Sequence, residues 1–128
     1  MTLREIENDI VAILKENSTK LRIQPSGVQH GKYAELMPTG GTIWVFAEPA
    51  ISEIGQSGIP ARVASIEVWV CASANTQWEA KFASIELAER CARLLKKYCL
   101  IKYELDYATA SLAVIVLYYE NSYQMVDV

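Results

Sequence analysis

The residues of this chain whose types suit chemistry are few: one histidine, three cysteines, and two carboxylates alternating along a strand-like segment. His30 lies in "VQHGK". Histidine is the natural acid–base group near neutrality, but a triad or a zinc centre needs partners at defined geometry, and none is suggested nearby. Its polar, glycine-flanked surroundings point to an exposed loop. Glu104 and Asp106, in "LIKYELDY", sit two apart, so a strand would turn both to one face, as an acid–base pair requires. Lys102 shares that face and makes a solvated, self-neutralising stripe the simpler expectation. Cys71, Cys91 and Cys99 are odd in number and show no CxxC or Cys/His metal spacing. Cys91 and Cys99 fall near the end of a helical pattern, whereas an activated thiolate favours a helix N-terminus or an adjacent base. Core packing is expected for both. "PTGG" lacks the lysine and following helix of a phosphate loop and reads as a turn. No catalytic, metal or cofactor-binding residue is assigned, and a non-enzyme is expected.

Composition agrees with a single domain over 1–128. The apolar share is 52% and the charged share 21%, which favours extensive burial over disorder. A net charge of −3 argues against general affinity for nucleic acid or anionic lipid, and no sequence-specific nucleic-acid partner is expected. Four cations, Arg90, Arg93, Lys96 and Lys97, cluster late in a helical segment, and the expected role is a helix's solvated edge. "MTLREIENDIVAILKENS" is charged from its fourth residue and lacks a secretory core, no apolar run approaches a membrane span, and the cysteines suit a reducing compartment.

Two helices and four strands are legible. Thr2 and Glu5 form a capping-box pattern, and Leu3, Ile6, Ile10, Ile13 and Leu14 follow at helical spacing, giving a helix over about 2–17. Residues 18–42 are loop-rich, with "KLRI" and "YAEL" as candidate short strands. "TIWVFA" (about 42–48) is apolar on both alternating faces, as a strand covered on both sides should be. "ARVASIEVWVCAS" (61–73) has period two, with Ala64, Ile66, Val68, Val70 and Ala72 on one face. Asn75 and Thr76 are cap candidates for a helix over about 77–98. One stripe of that helix holds Trp78, Phe82, Ile85, Ala88, Ala92 and Leu95; a second holds Ala80, Ala83, Leu87, Cys91, Leu94 and Tyr98. Burial on more than one side is expected. Strands follow over about 100–107 and 112–120, joined by "ATAS", a poor turn signal that leaves one bent strand as an alternative. The order α–β–β–α–β–β predicts an α+β fold, a mostly antiparallel sheet with both helices on one face.

Apolar surface is therefore in surplus: two strands are apolar on both faces, and "AEPAISEIGQSGIPARV" places Ile51, Ile54 and Ile59 in a connection that should face water. Cover within the chain is one explanation. A subunit or partner interface anchored by Trp44, Phe46, Ile51, Ile54, Ile59 and Trp69 is the other.

The succession of "IENDIVAILKE", "GTIWVFAEP", a Gly/Pro-containing loop, "ARVASIEVWVCAS" and "EAKFASIELAERCARLLKKY" resembles the small tail-terminator, or tail-completion, proteins of tailed bacteriophages and prophages. The resemblance covers Leu3 to Tyr119 as a pattern of elements, without a diagnostic motif, and the last strand lacks the family's clear Gly or Pro turn. It implies a structural homo-oligomer, a hexameric ring at the end of a tail tube that joins tail to head. Its partners would be other copies, tail-tube and head-connector proteins, with no cofactor and no membrane, first in the bacterial host cytoplasm and then in the virion tail. An acidic α+β secretion chaperone or peptide-binding module, working as a dimer, is the alternative.

Overall fold

The computed structural model describes residues 1–31, 40–52 and 61–127. Helix α1 (Leu3–Glu16) begins as its sequence predicts: Thr2 caps the Glu5 N–H and the Glu5 carboxylate returns to the Thr2 N–H. Ile6, Ile10, Val11 and Leu14 form its buried stripe. The chain then makes one short helical turn, α2 (Ser18–Leu21), ended by Arg22 in the left-handed region (φ 59°). "KLRI" is thus the end of this turn, not a strand, and "YAEL" lies outside the described residues.

Strand β1 (Val28–His30) was not expected. Only Val28 is buried in it, and so short a polar segment has no alternation to detect; it exists because it pairs, in parallel, with Ile43–Val45 of the next strand. Strands β2 (Thr42–Ser52) and β3 (Ala61–Ser73) form the long antiparallel pair. Gly41 starts β2 at φ +77°, a conformation that favours glycine, and donates its N–H to Cys71 O. Helix α3 (Gln77–Leu94) is capped by the Thr76 hydroxyl, one of the two expected caps. It stops about a turn early, since Tyr98 stays buried through a tight turn bonded to Leu95 O. Strands β4 (Leu100–Ala108) and β5 (Leu112–Ser122) are a true hairpin. The Thr109 hydroxyl accepts from the N–H groups of Ser111 and Leu112, the turn chemistry that "ATAS" conceals.

The sheet order is β1-β2-β3-β5-β4, antiparallel except at β1, so the α+β class and mostly antiparallel sheet are as predicted. Both helices lie on one face. Ile6, Ile10 and Leu14 of α1 lie over β1 and β2, with Val28, Ile43 and Val45, and Leu87, Cys91 and Leu95 of α3 lie over β3 and β5, with Ile66, Val68, Val70, Ile115, Leu117 and Tyr119, all in one core. The two helices are fastened together at Asp9, whose Oδ2 accepts from the Tyr98 hydroxyl and pairs with the Lys97 ammonium. Burial alone would push the Asp9 carboxyl upward, but those hydrogen bonds and the ammonium's charge outweigh it and hold it below the ordinary carboxylate range. Among the described residues the Tyr119 hydroxyl has no hydrogen-bond partner.

Two outcomes follow from this packing. Because the folded Asp9 pKa is lowered, its stabilisation is present above the unfolded value of about 3.9 and lost as pH falls through the lower folded value. Asp9→Asn should therefore be destabilising in urea melts at neutral pH, with the gap to wild type closing below about pH 4; a gap that is constant with pH contradicts the pairing. Tyr119→Phe removes a buried, unsatisfied hydroxyl and should leave stability unchanged or raise it by up to about 1 kcal/mol, whereas a loss above about 1 kcal/mol would reveal a partner for that oxygen.

Candidate functional site

The groups of chemical type are scattered. His30 ends β1, and its Nδ1 lies 3.0 Å from Glu7 Oε2, so it is a strand-end residue tied to α1 and not a loop histidine. The other Glu7 oxygen accepts the Ala47 N–H at 3.0 Å, so one carboxylate joins α1 to the sheet edge where β1 stops. Glu104 accepts from the Tyr118 hydroxyl (3.1 Å), and Lys102 Nζ lies 3.9 Å from its other oxygen and 4.8 Å from the Tyr118 ring centre. Burial, the Glu104 carboxylate and neighbouring acids push the Tyr118 phenol up to about 12. This is the self-neutralising stripe that the Lys–Glu alternation predicts. Lys97, in the turn after α3, pairs with Asp9 at the surface, so the basic cluster is partly engaged within the chain. Among the described residues no three His, Cys, Asp or Glu side chains stand close enough to hold a metal ion. No helix among them is long and apolar enough to cross a membrane.

The cysteines divide. Cys71 and Cys91 are buried, and burial raises their thiols to about 11 and about 12, against which Thr42 and Arg90 respectively pull only weakly. Cys99 is exposed, contrary to expectation: it stands past the end of α3, its N–H held by Asn121 Oδ1.

The sheet face away from the helices holds the aromatic candidates. Trp44 and Trp69 are directly opposed, and Trp69 in turn faces Val116; Phe46 faces Glu67, which faces Tyr118. The structure thus brings the three aromatic candidates onto one face, but Trp44 is only 6% exposed within the single chain. Phe46 and Trp69 are half-buried and take part in further interactions. Cys71, Val114 and Val116 are fully buried on the same side, so this face is covered to a large extent already. Ile51, next to last in β2, stands opposite Arg62, and its side chain, with Ile54 and Ile59, lies outside the described residues.

Much of the exposed apolar surface lies elsewhere, apart from Met1, Met125 and Val126 near the chain ends. Trp78 (69% exposed), Phe82, Leu100, Ile101, Tyr103 (61%) and Leu105 are large apolar side chains left open on the α3–β4 side. Trp78 and Phe82 are stacked at 4.8 Å, one helical turn apart. A hollow of about 70 Å³ between α3 and β4 is lined by Ile85, Ala88, Ala92, Tyr103, Ile115 and Leu117, among others. The expectation that α3 is buried on two sides therefore fails at Trp78 and Phe82, the start of its first stripe, and holds further along, where Ala88 and Leu95 are buried. Two helices of about 10 Å width lie over β1–β2 and β3–β5, and the fifth strand falls outside that cover. Sequence reasoning placed Trp78 and Phe82 in the core because their spacing fits a buried stripe. The available signal was the count of strands against helices. Comparison with known protein families and with characterised proteins finds no match to this chain.

Thiol labelling gives a direct check on the cysteine assignments. One equivalent of a disulfide reagent should react rapidly with native protein, at Cys99, and Cys99→Ser should abolish it. Cys71 and Cys91 should react only on unfolding; rapid native labelling of all three would contradict their burial.

Proposed function

We propose that the chain is a non-enzymatic structural subunit that assembles with copies of itself in the manner of the phage tail terminators its element pattern resembles. In that role it forms a ring at the end of a tail tube and joins tail to head, meeting tail-tube and head-connector proteins there. The observation that carries this reading is the β2–β3 hairpin. β1 flanks only Ile43–Val45 of β2, and the last pairing of β3 with β5 is Val63–Ser122, so Ile51–Ser52 and Ala61–Arg62 extend past the neighbouring strands. Beyond the sheet, Arg62 of this arm reaches Met125 Sδ of the C-terminal segment, and the remaining outer contacts are best supplied by another chain. The connection it carries holds Ile54 and Ile59, apolar residues without a role in a solvated turn. The alternative, a dimeric secretion chaperone or peptide-binding module, is supported by the uncovered edge of β4, where an extended client could add as a strand.

Light scattering coupled to size exclusion, with negative-stain microscopy, separates the readings. A hexameric ring is expected, and replacing Ile51, Ile54 and Ile59 with Ser should weaken assembly more than folding. A concentration-independent monomer, or a triple variant that unfolds with no change in assembly preceding it, would overturn the ring reading.

A further inference from the structure

The two edges of the sheet are treated differently by the sequence. On the β2 edge, β1 covers Ile43–Val45, Glu7 Oε1 takes the Ala47 N–H, and Pro49, the next residue on that side, has no N–H to offer. A pairing strand finds few groups left to bond there. On the β4 edge nothing comparable occurs: among the described residues no side chain caps the backbone of Lys102–Leu105. This stretch is also the regular part of the strand, bounded by register shifts between Leu100 and Lys102 and between Leu105 and Tyr107.

We infer that β4 pairs with β4 of a second copy, antiparallel and about a two-fold axis through Tyr103, joining two five-stranded sheets edge to edge. The order of charges selects both the partner and the register. Lys102 and Glu104 share the face away from the helices, opposite Tyr118 and Val116. With Tyr103 on the axis, Lys102 of each copy faces Glu104 of the other, giving two opposite-charge cross-strand pairs. Moving the axis by one residue sets Lys102 or Glu104 against its own image, and parallel in-register pairing sets both against themselves. Glu104 is already oriented for this by the Tyr118 hydroxyl. Register shifts and charge confine the open part of this edge to Lys102–Leu105 and so restrict general pairing, while its Lys–Tyr–Glu order is complementary to itself when reversed.

Apolar area agrees with this occupant. An axis normal to the sheet keeps both α3 helices on one face, with Tyr103 meeting its image and Leu105 and Leu100 beside it. Tyr103 and Leu105 point to the helix side, opposite Leu117 and Ile115. From their exposed fractions, Trp78, Phe82, Leu100, Ile101, Tyr103 and Leu105 together expose roughly 600 Å² per copy, so complete burial would reach at most about 1,200 Å² for a pair. That is the lower bound of a specific interface and more than a casual contact provides. This contact uses the edge opposite the β2–β3 arm and does not rest on the ring reading.

The test uses the full chain. In a Cys99→Ser background, Tyr103→Cys treated with diamide should give a disulfide-linked dimer in high yield at low micromolar protein, because the axis residue meets itself. Lys102→Cys in the same background should give at most a tenth of that yield. K102E and E104K should each lower dimer affinity at least tenfold in sedimentation equilibrium, and mixing the two should restore a heterodimer, since every cross-strand pair is again of opposite sign. All these residues are exposed, so the variants fold. Equal cross-linking at both positions, or no heterodimer on mixing, overturns the pairing. A ring that forms without the Tyr103 cross-link also overturns it while leaving the tail-end reading intact. A cross-linked dimer without rings does the reverse. A monomer whose β4 edge instead takes up an added peptide overturns it in favour of client binding.

Discussion

The side-by-side packing of α1 and α3 on one face of the sheet sets what the rest of the molecule can do. The helices are locked in that position at Asp9, which receives the Lys97 ammonium and the Tyr98 hydroxyl from the turn after α3. Beneath them Ile10, Leu14, Val45, Ile66, Val68, Cys91, Leu95 and Tyr119 form a continuous apolar layer. Burial of this layer is the main favourable term in folding, and it fixes which strands are covered. Two helices suffice for four strands. β4, added at the far edge through its hairpin with β5, gains backbone pairing but little cover, and its helix-side residues Tyr103 and Leu105 stay wet.

The second face of the sheet obeys a different balance. β5 is buried on both sides, with Ile115 and Leu117 towards the helices and Val114 and Val116 away from them. Trp44, directly opposite Trp69 across β2 and β3, belongs to that second buried layer. An aromatic pair so placed stabilises the sheet itself, and the exposed rings Trp78 and Phe82 are the ones with surface to give to another molecule. The chain thus has two regions that a single copy leaves incomplete, an arm at β2–β3 and an uncovered edge at β4.

Local rules were legible where a local interaction decides the outcome. The Thr2–Glu5 capping box, the Thr76 cap and the period-two face of β3 each follow from neighbouring residues and appear as expected. The buried faces of β2 and β5 were visible as continuous apolar runs. What stayed hidden depends on distant partners. β1 exists only by pairing with β2, the end of α3 is blurred by a buried Tyr98, and Cys99 is exposed because α3 stops before reaching it. Trp78 and Phe82 have the spacing of core residues; their exposure comes from where the neighbouring strand falls, which no window of sequence contains. Glu7 is a similar case, a helix-surface acid by pattern that proves to bind a strand amide 40 residues away.

The central claim is that the β4 edge is completed by a second copy. Amide hydrogen exchange along β4, followed as protein concentration is raised from nanomolar to high micromolar, reads this at the backbone itself. Slowing is expected at alternate amides of Lys102–Leu105, those facing away from β5, rising in step with the population of dimer. The β2 edge near Ala47 should show no such dependence. Exchange at the outer amides of β4 that stays fast at every concentration, while the protein is demonstrably oligomeric, would contradict it.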